Sequence, residues 1–192
     1  MSELTIWKMS VSAEEDRPQV DLEIQGLTWD DWGDMDQPFP DGVDTIQSPS
    51  TLHFHVDAPD ALEWDWYSVS YWGMWSQRAR DLLWPHARKH LRCFQTTLNG
   101  QLYYILRVDE ELGLNCLDYD RVELNRFPSS GRVARVLKYA FRPGVIQDPL
   151  IFHAKDSGDI LCTESIHQIV LDAGLKGFRF QDTATLRQRL AV

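Results

Sequence analysis

Three side chains that could bind a metal stand in the middle of the chain at the spacing of one helical face. His86, His90 and Cys93 occupy positions i, i+4 and i+7, so a continuous helix would bring together two imidazoles and a thiol, which are zinc ligands. A structural zinc site has four ligands, and no second pair is spaced to complete this one. The intervening Arg88 and Lys89 are more typical of a helix C-terminus.

A small metal-dependent enzyme using this cluster therefore stays open as one interpretation. The sequence has no Gly-rich phosphate loop, paired Cys-x-x-Cys motif, nucleophile elbow or dinucleotide fingerprint, and no spacing singles out a catalytic triad. It predicts no catalytic residue, no bound metal and no cofactor.

Acidic side chains are concentrated in the segment Trp29–Asp44. The EF-hand calcium pattern fails there, because Gly33 and Gly42 stand where acidic ligands are needed when counting from Asp31. Acids, Pro, Gly and Trp without periodicity predict a loop. In protein recognition, Trp residues anchor and charges steer. We therefore predict a binding surface for a basic partner, formed by Asp30, Asp31, Trp32, Asp34, Asp36, Asp41 and Asp44.

Charge is distributed unevenly along the 192 residues, whose net charge is −10. Residues 1–66 contain 16 acidic and 2 basic side chains, whereas residues 67–192 contain 13 acidic and 17 basic ones. The first segment would repel nucleic acid and anionic lipid and attract a basic protein. A purely solubilising surface is the alternative. We expect residues 1–66 to be an acidic N-terminal segment packing on a core formed by residues 67–192.

Cysteine usage and hydropathy predict a cytoplasmic protein. The three cysteines are odd in number and widely spaced, which indicates reduced thiols instead of a disulfide framework. The N-terminus lacks the pattern of a standard signal peptide, and no run of 18 apolar residues occurs. We expect neither a membrane nor a nucleic acid as partner, and the sequence leaves the oligomeric state open.

The secondary-structure signals predict an α+β fold with a mainly antiparallel sheet. Asn99-Gly100 tolerates positive φ at both residues and predicts a two-residue hairpin turn between strands 92–98 and 101–108. Apolar spacing at i, i+3, i+4 and i+7 predicts amphipathic helices near 76–90, 132–141 and 164–173. Regular β-α-β alternation is absent, which excludes a doubly wound parallel sheet.

Two of these helices begin in the same way. Ser76 and Thr163 are predicted N-caps, whose hydroxyls would accept from free backbone N–H groups of the first turn. Each helix follows an apolar residue and precedes a strand containing phenylalanine flanked by basic residues, over 75–95 and 162–181. This parallel predicts an internal duplication of a cap–helix–strand unit; chance resemblance of two ordinary helix–strand connections is the alternative.

Several short motifs between residues 71 and 182 occur together. They are the Ser76 helix after an aromatic strand, the Tyr103-Tyr104 strand, the Leu117-Asp118 turn, the Leu150-Ile-Phe strand and the ending Ile166…Ala173-Gly174-Leu-Lys-Gly177-Phe-Arg-Phe180. Over about Tyr71 to Asp182 the chain resembles a bacterial immunity-protein family of polymorphic toxin systems, the one numbered eleven, formerly a domain of unknown function.

The resemblance implies a cytosolic, non-enzymatic protein that binds and neutralises a cognate toxin by direct contact. It offers no catalytic residues to carry over and does not identify the toxin. An acidic, Trp-bearing segment suits an inhibitor of a basic toxin, and the Trp-rich stretch Trp64–Trp75 is the next candidate for the interface. A general protein-binding adaptor is a further alternative, which would have no toxin gene beside its own.

Overall fold

A computed structural model describes residues 4–11, 20–24, 52–56, 63–69 and 72–185. Its helices are α1 (Gln77–Ala87) and α2 (Glu164–Asp172). Its strands are β1 (Ile6–Val11), β2 (Val20–Ile24), β3 (Leu52–Val56), β4 (Trp66–Val69), β5 (Trp72–Ser76), β6 (Leu91–Leu98), β7 (Gln101–Val108), β8 (Glu123–Arg126), β9 (Val133–Lys138), β10 (Ile151–His153), β11 (Ile160–Thr163) and β12 (Phe178–Asp182).

The strands form two larger sheets and a separate hairpin. One sheet has six strands in the order β2-β3-β6-β7-β5-β4, the other has four in the order β10-β11-β1-β12, and β8 pairs with β9. Among the described strands, only β3 and β6 pair in parallel. The predicted α+β class with mainly antiparallel pairing is confirmed.

The predicted hairpin at Asn99-Gly100 is confirmed. β6 and β7 pair along their whole length, from Leu91 opposite Val108 to Leu98 opposite Gln101. The φ angles of Asn99 and Gly100 are +47° and +78°, so both residues are left-handed, as a type I′ turn requires.

Each helix connects two strands that lie on either side of a third. β5 and β6 both pair antiparallel with β7, and β11 and β12 both pair antiparallel with β1. The units β5-α1-β6 and β11-α2-β12 therefore have the same topology. The duplication of a cap–helix–strand unit stays a prediction.

One core includes both helices and residues from both sheets. Leu83 of α1 and Val170 of α2 pack in the same buried cluster as Trp75, Leu106 and Cys162. A second cluster lies on the other face of the four-stranded sheet, where Ile6, Phe152 and Leu161 contact residues of the 114–150 segment. Strand β1 contributes to both clusters, so residues within the first 66 positions are part of the central sheet framework.

Residues 132–141 do not form the predicted helix, because 133–138 is strand β9. Leu124 and Arg126, two residues apart on β8, pair with Val136 and Val133, which are three residues apart on β9. An extra residue in one strand of a pair is a β-bulge. It gives the apolar side chains of a strand the i, i+3 spacing that is typical of a helix, which explains the wrong prediction.

The two predicted caps differ. The Ser76 hydroxyl accepts from the Ala79 N–H over 3.1 Å, as predicted. Thr163 makes no side-chain cap hydrogen bond to α2; its hydroxyl accepts from the Leu150 N–H over 3.0 Å instead. Thr163 therefore joins α2 to the segment before β10, and its prediction as a capping side chain was wrong.

Candidate functional site

The predicted binding surface lies outside the described residues. Its members all fall within residues 25–51, between the described ranges 20–24 and 52–56; they are Asp30, Asp31, Trp32, Asp34, Asp36, Asp41 and Asp44. Their role stays a prediction.

The described part of the Trp-rich stretch is mainly core. Trp66, Tyr67 and Trp75 are each at most 2% exposed, and the Trp66 ring packs edge-on against Trp75 and Phe178. Side chains this deeply buried cannot reach a partner without unfolding. This stretch is therefore a poor second candidate for an interface.

The three side chains of the predicted metal cluster lie on different elements. His86 is in α1, His90 is in the turn after it and Cys93 is in β6, so they do not share a helical face. The His90 Nδ1 atom lies 3.0 Å from the Leu112 carbonyl oxygen. Burial raises the pKa of the Cys93 thiol to about 12, against a smaller opposing effect of Arg80, and a neutral thiol is a poor metal ligand and nucleophile.

Other histidine and acidic side chains of the described ranges do not supply a metal centre either. The His153 ring is buried, and its two nitrogens face backbone carbonyl oxygens of Ser157 and Asp109, each at 2.9 Å. No group of three His, Cys, Asp or Glu side chains within those ranges is placed to hold a metal ion. The structure therefore does not support the metal-enzyme interpretation.

Asp65 joins the start of β4, the N-terminus of α1 and the turn before β12. Asp65 is 5% exposed, and its carboxylate accepts from the Ser76 hydroxyl over 2.6 Å and from the Lys176 N–H over 3.0 Å. The Arg78 guanidinium lies 3.7 Å away. Because its two carboxylate oxygens accept from donors on different elements, Asp65 holds these three elements together.

Tyr139 and Asp159 form a second cluster of titratable groups. The Tyr139 hydroxyl donates to Asp159 over 2.5 Å, and the Lys8 ammonium lies 2.6 Å from the same carboxylate. Burial, reinforced by the Asp159 charge, raises the pKa of Tyr139 far above its ordinary value. The phenol therefore stays protonated near neutral pH and links the end of β9 to β1 and β11.

A depression of about 580 Å³ lies at the ends of β6 and β7. The Arg92 guanidinium donates to the Asp109 carboxylate there, and this hydrogen bond lowers the pKa of Asp109. Glu110 and Glu111 also line the depression. Charges of both signs are present, so the depression does not select a ligand of one charge.

The segment 121–142, which we call the basic hairpin, carries a concentration of positive charge. It contains β8, β9 and one acidic side chain, Glu123. Its six basic side chains are all exposed; they are Arg121, Arg126, Arg132, Arg135, Lys138 and Arg142.

Sequence reasoning missed the basic hairpin for two reasons. Over the whole of residues 67–192 other acids offset its positive charge, and the apolar spacing of residues 132–141 is typical of an amphipathic helix. A charge count over a short window would have found it, because 121–142 holds six basic residues and one acidic residue.

The immunity protein family Imm11 matches residues 12–185. The chain therefore belongs to the Imm11 immunity protein family. The match extends beyond the Tyr71–Asp182 range of the resemblance seen in the sequence and includes most of the acidic first third. No curated protein matches the chain.

One further finding concerns membranes. Of the helices described, none is both long and apolar enough to cross a lipid bilayer.

Proposed function

We propose that this chain neutralises a cognate bacterial toxin by direct protein–protein contact, in the cytoplasm and without catalysis. The observation that carries the proposal is the Imm11 match over residues 12–185, which covers most of the chain. Immunity proteins of polymorphic toxin systems act on a toxin, so the family supplies the class of partner. Membership of this family does not identify the activity of the toxin.

The acidic segment Trp29–Asp44 is the proposed contact with a basic surface of the toxin. Residues 1–66 hold 16 acidic and 2 basic side chains, a balance that would speed the encounter with a positively charged protein. Trp32, near the centre of the segment, would anchor the complex. The burial of Trp66 and Trp75 in the core supports this choice, since it removes two other candidate anchors.

The alternatives have less support. His86, His90 and Cys93 lie on different elements, which weakens the metal-enzyme interpretation. A general adaptor would bind proteins other than the one encoded beside it. No described contact favours an adaptor over a toxin inhibitor.

Co-expression tests the proposal directly. The protein encoded by the neighbouring gene would be produced in a bacterial host alone, with this chain, and with an unrelated acidic protein as control. We expect growth arrest alone and with the control, and growth with this chain. Persistent arrest despite soluble chain would contradict the proposal.

A further inference from the structure

The basic hairpin has a charge opposite to that of the molecule as a whole. The chain has a net charge of −10 and a pI near 4.9, yet residues 121–142 hold six basic side chains against Glu123 alone. Lys138 is 3.5 Å from Glu123, and Arg121 is 3.9 Å from Asp118. Within the described ranges, Arg132 and Arg135 form no ion pair, so their charges are available to a partner.

The hairpin presents these charges on a folded support. Val136 is buried and Leu124 packs beside it in the second core cluster, which fixes the inner face of β8 and β9. Asn125 and Arg135 form a cross-strand pair, and both are exposed. Arg135 lies on the paired strand β9, and a side chain on ordered backbone loses less conformational freedom on binding than one on a flexible loop.

An exposed aromatic ring lies at the tip of the same hairpin. Phe127 is 53% exposed, and its N–H donates to the Arg132 carbonyl over 2.9 Å. The Gly131 N–H in turn donates to the Phe127 carbonyl over 2.9 Å. Phe and Arg are both enriched in protein–protein interfaces. In the sequence, Phe127 directly follows Arg126, and its backbone is hydrogen-bonded to that of Arg132.

We infer that the basic hairpin is a second docking surface and that its occupant is an acidic patch on the toxin. This inference rests on the proposed function and adds to it. Recognition would then use two surfaces of opposite sign, with the acidic segment against a basic region of the toxin and the hairpin against an acidic one. Such a pattern disfavours toxins with uniform charge, because one of the two contacts would be repulsive.

Charge also explains why the occupant is a protein and not a nucleic acid. Nucleic-acid-binding domains commonly have a pI above about 9, whereas this chain has a pI near 4.9. A polyanion approaching the hairpin would be repelled by the acidic first third of the chain. A limited acidic patch on a protein carries less negative charge than a polyanion, so the net negative charge of the chain repels it less.

A pair of matched charge reversals tests the inference. The test variant is Arg132→Glu with Arg135→Glu, on the hairpin. The control is Arg88→Glu with Lys89→Glu, at the exposed end of α1. Both variants lower the net charge by four units, so only the position of the change differs. Binding kinetics would be measured against the protein encoded by the neighbouring gene, at low and at high salt, after circular dichroism confirms folding.

The direction of the effect separates the possibilities. We expect the hairpin variant to associate about tenfold more slowly than the control at low salt, with the difference shrinking at high salt. If the toxin offered only basic surface, the added negative charge would leave association unchanged or speed it. Equal or faster association of the hairpin variant would overturn the inference.

Two truncations provide a charge-independent test. Phe127→Ala should raise the dissociation rate several-fold, because an aromatic anchor is lost. Leu171→Ala, which removes a side chain 56% exposed on α2, is the matched control and should have little effect. Equal rates for the two variants would show that Phe127 is not in the interface and would count against the inference.

The outcomes also separate this inference from the proposed function. If the wild-type chain does not bind the protein encoded by the neighbouring gene, the proposed function and this inference are both wrong. If it binds and the hairpin variants bind equally well, the inference falls and the proposed function stands. Sedimentation of the chain alone covers a second copy as occupant: self-association that is lost in the hairpin variant would overturn the assignment to the toxin.

Discussion

The Ser76 hydroxyl links the first helix to Asp65 and to the rest of the molecule. It donates to the Asp65 carboxylate over 2.6 Å and accepts from the Ala79 N–H over 3.1 Å. Asp65 also accepts from the Lys176 N–H, in the turn before β12. One buried carboxylate therefore fixes the start of α1 relative to the turn between α2 and β12.

Replacing Asp65 should destabilise the fold substantially. Asp65→Ala removes the acceptor for the Ser76 hydroxyl and the Lys176 N–H and leaves donors unpaired at a buried site. We expect the free energy of unfolding to fall by about 2–4 kcal/mol, measured by urea denaturation. The control Asp120→Ala, at an exposed turn, should change it by no more than about 0.5 kcal/mol. Similar losses in both variants would contradict the role of Asp65.

Adding a side chain at Gly177 should destabilise the fold for two reasons, a positive backbone angle and a steric conflict with β4. Its φ is +88°, and a Cβ atom there would lie 2.4 Å from the Trp66 carbonyl oxygen. Gly144, with φ +75° and nothing within 4 Å of such an atom, is the matched control. Gly144→Ala should cost about 1 kcal/mol from backbone strain alone.

Gly177→Ala should cost clearly more, because the strand containing Trp66 must move as well. Denaturant unfolding of both variants measures the difference. Equal costs would show that the 176–178 turn adapts without disturbing β4.

Stability should fall at alkaline pH in a way that depends on Tyr103. Burial, together with the nearby Asp65 charge, raises the pKa of Tyr103 to about 12 from its ordinary value of 10.0. The folded state therefore favours the protonated phenol. Its contribution is fully present below pH 10 and is lost as the pH rises from 10 to 12.

The measurement compares unfolding free energies at pH 9 and pH 11 for the wild-type chain and Tyr103→Phe. The wild-type chain should lose about 1 kcal/mol more than the variant over this interval. The pKa values of Tyr119 and Tyr139 are also raised. Both residues are present in the two proteins compared, so their contributions to the pH dependence of unfolding cancel. Identical pH dependence would contradict the assignment to Tyr103.

The acidic segment should act on binding in two separable ways. Neutralising four aspartates to asparagine should slow association with the neighbouring gene's protein, and the effect should fade as salt rises. The four are Asp30, Asp31, Asp34 and Asp36. Trp32→Ala should instead speed dissociation, with a cost on the order of 2 kcal/mol if the ring is buried in the complex.

A control for the acidic segment neutralises four exposed acids elsewhere: Asp81, Glu111, Asp120 and Asp172. It should slow association less than the segment variant does. If the segment variant and Trp32→Ala both bind and protect as the wild-type chain does at low salt, the segment is not the interface.

Local signals in the sequence predicted the elements whose structure depends on local chemistry. Asn99-Gly100 sets its turn through backbone conformation alone, and Ser76 caps the helix that follows it. Thr163 has the same local pattern, but its hydroxyl bonds to Leu150, which is distant in the sequence. Tertiary contacts decide whether the Thr163 hydroxyl accepts from its own helix or from another segment. The local sequence pattern holds no information about those contacts.

The error at β9 has a similar origin. Val133 and Val136 face one side of a strand because an extra residue lies between them, and only pairing with β8 reveals that residue. The His86, His90 and Cys93 spacing failed as a ligand set because the helix ends at Ala87, before the other two side chains. Residues at helical spacing share a face only if one uninterrupted helix contains all of them.

The central claim is that this chain inactivates a toxin by binding it, and one titration tests it most directly. Purified toxin domain from the neighbouring gene would be titrated with the chain while binding and toxic activity are followed together. We predict a dissociation constant of about 10 nM or tighter, as in other specific complexes of standard size. Toxin activity should fall in proportion to the fraction bound. Full activity at saturating concentrations of folded chain, or no measurable binding, would contradict the account.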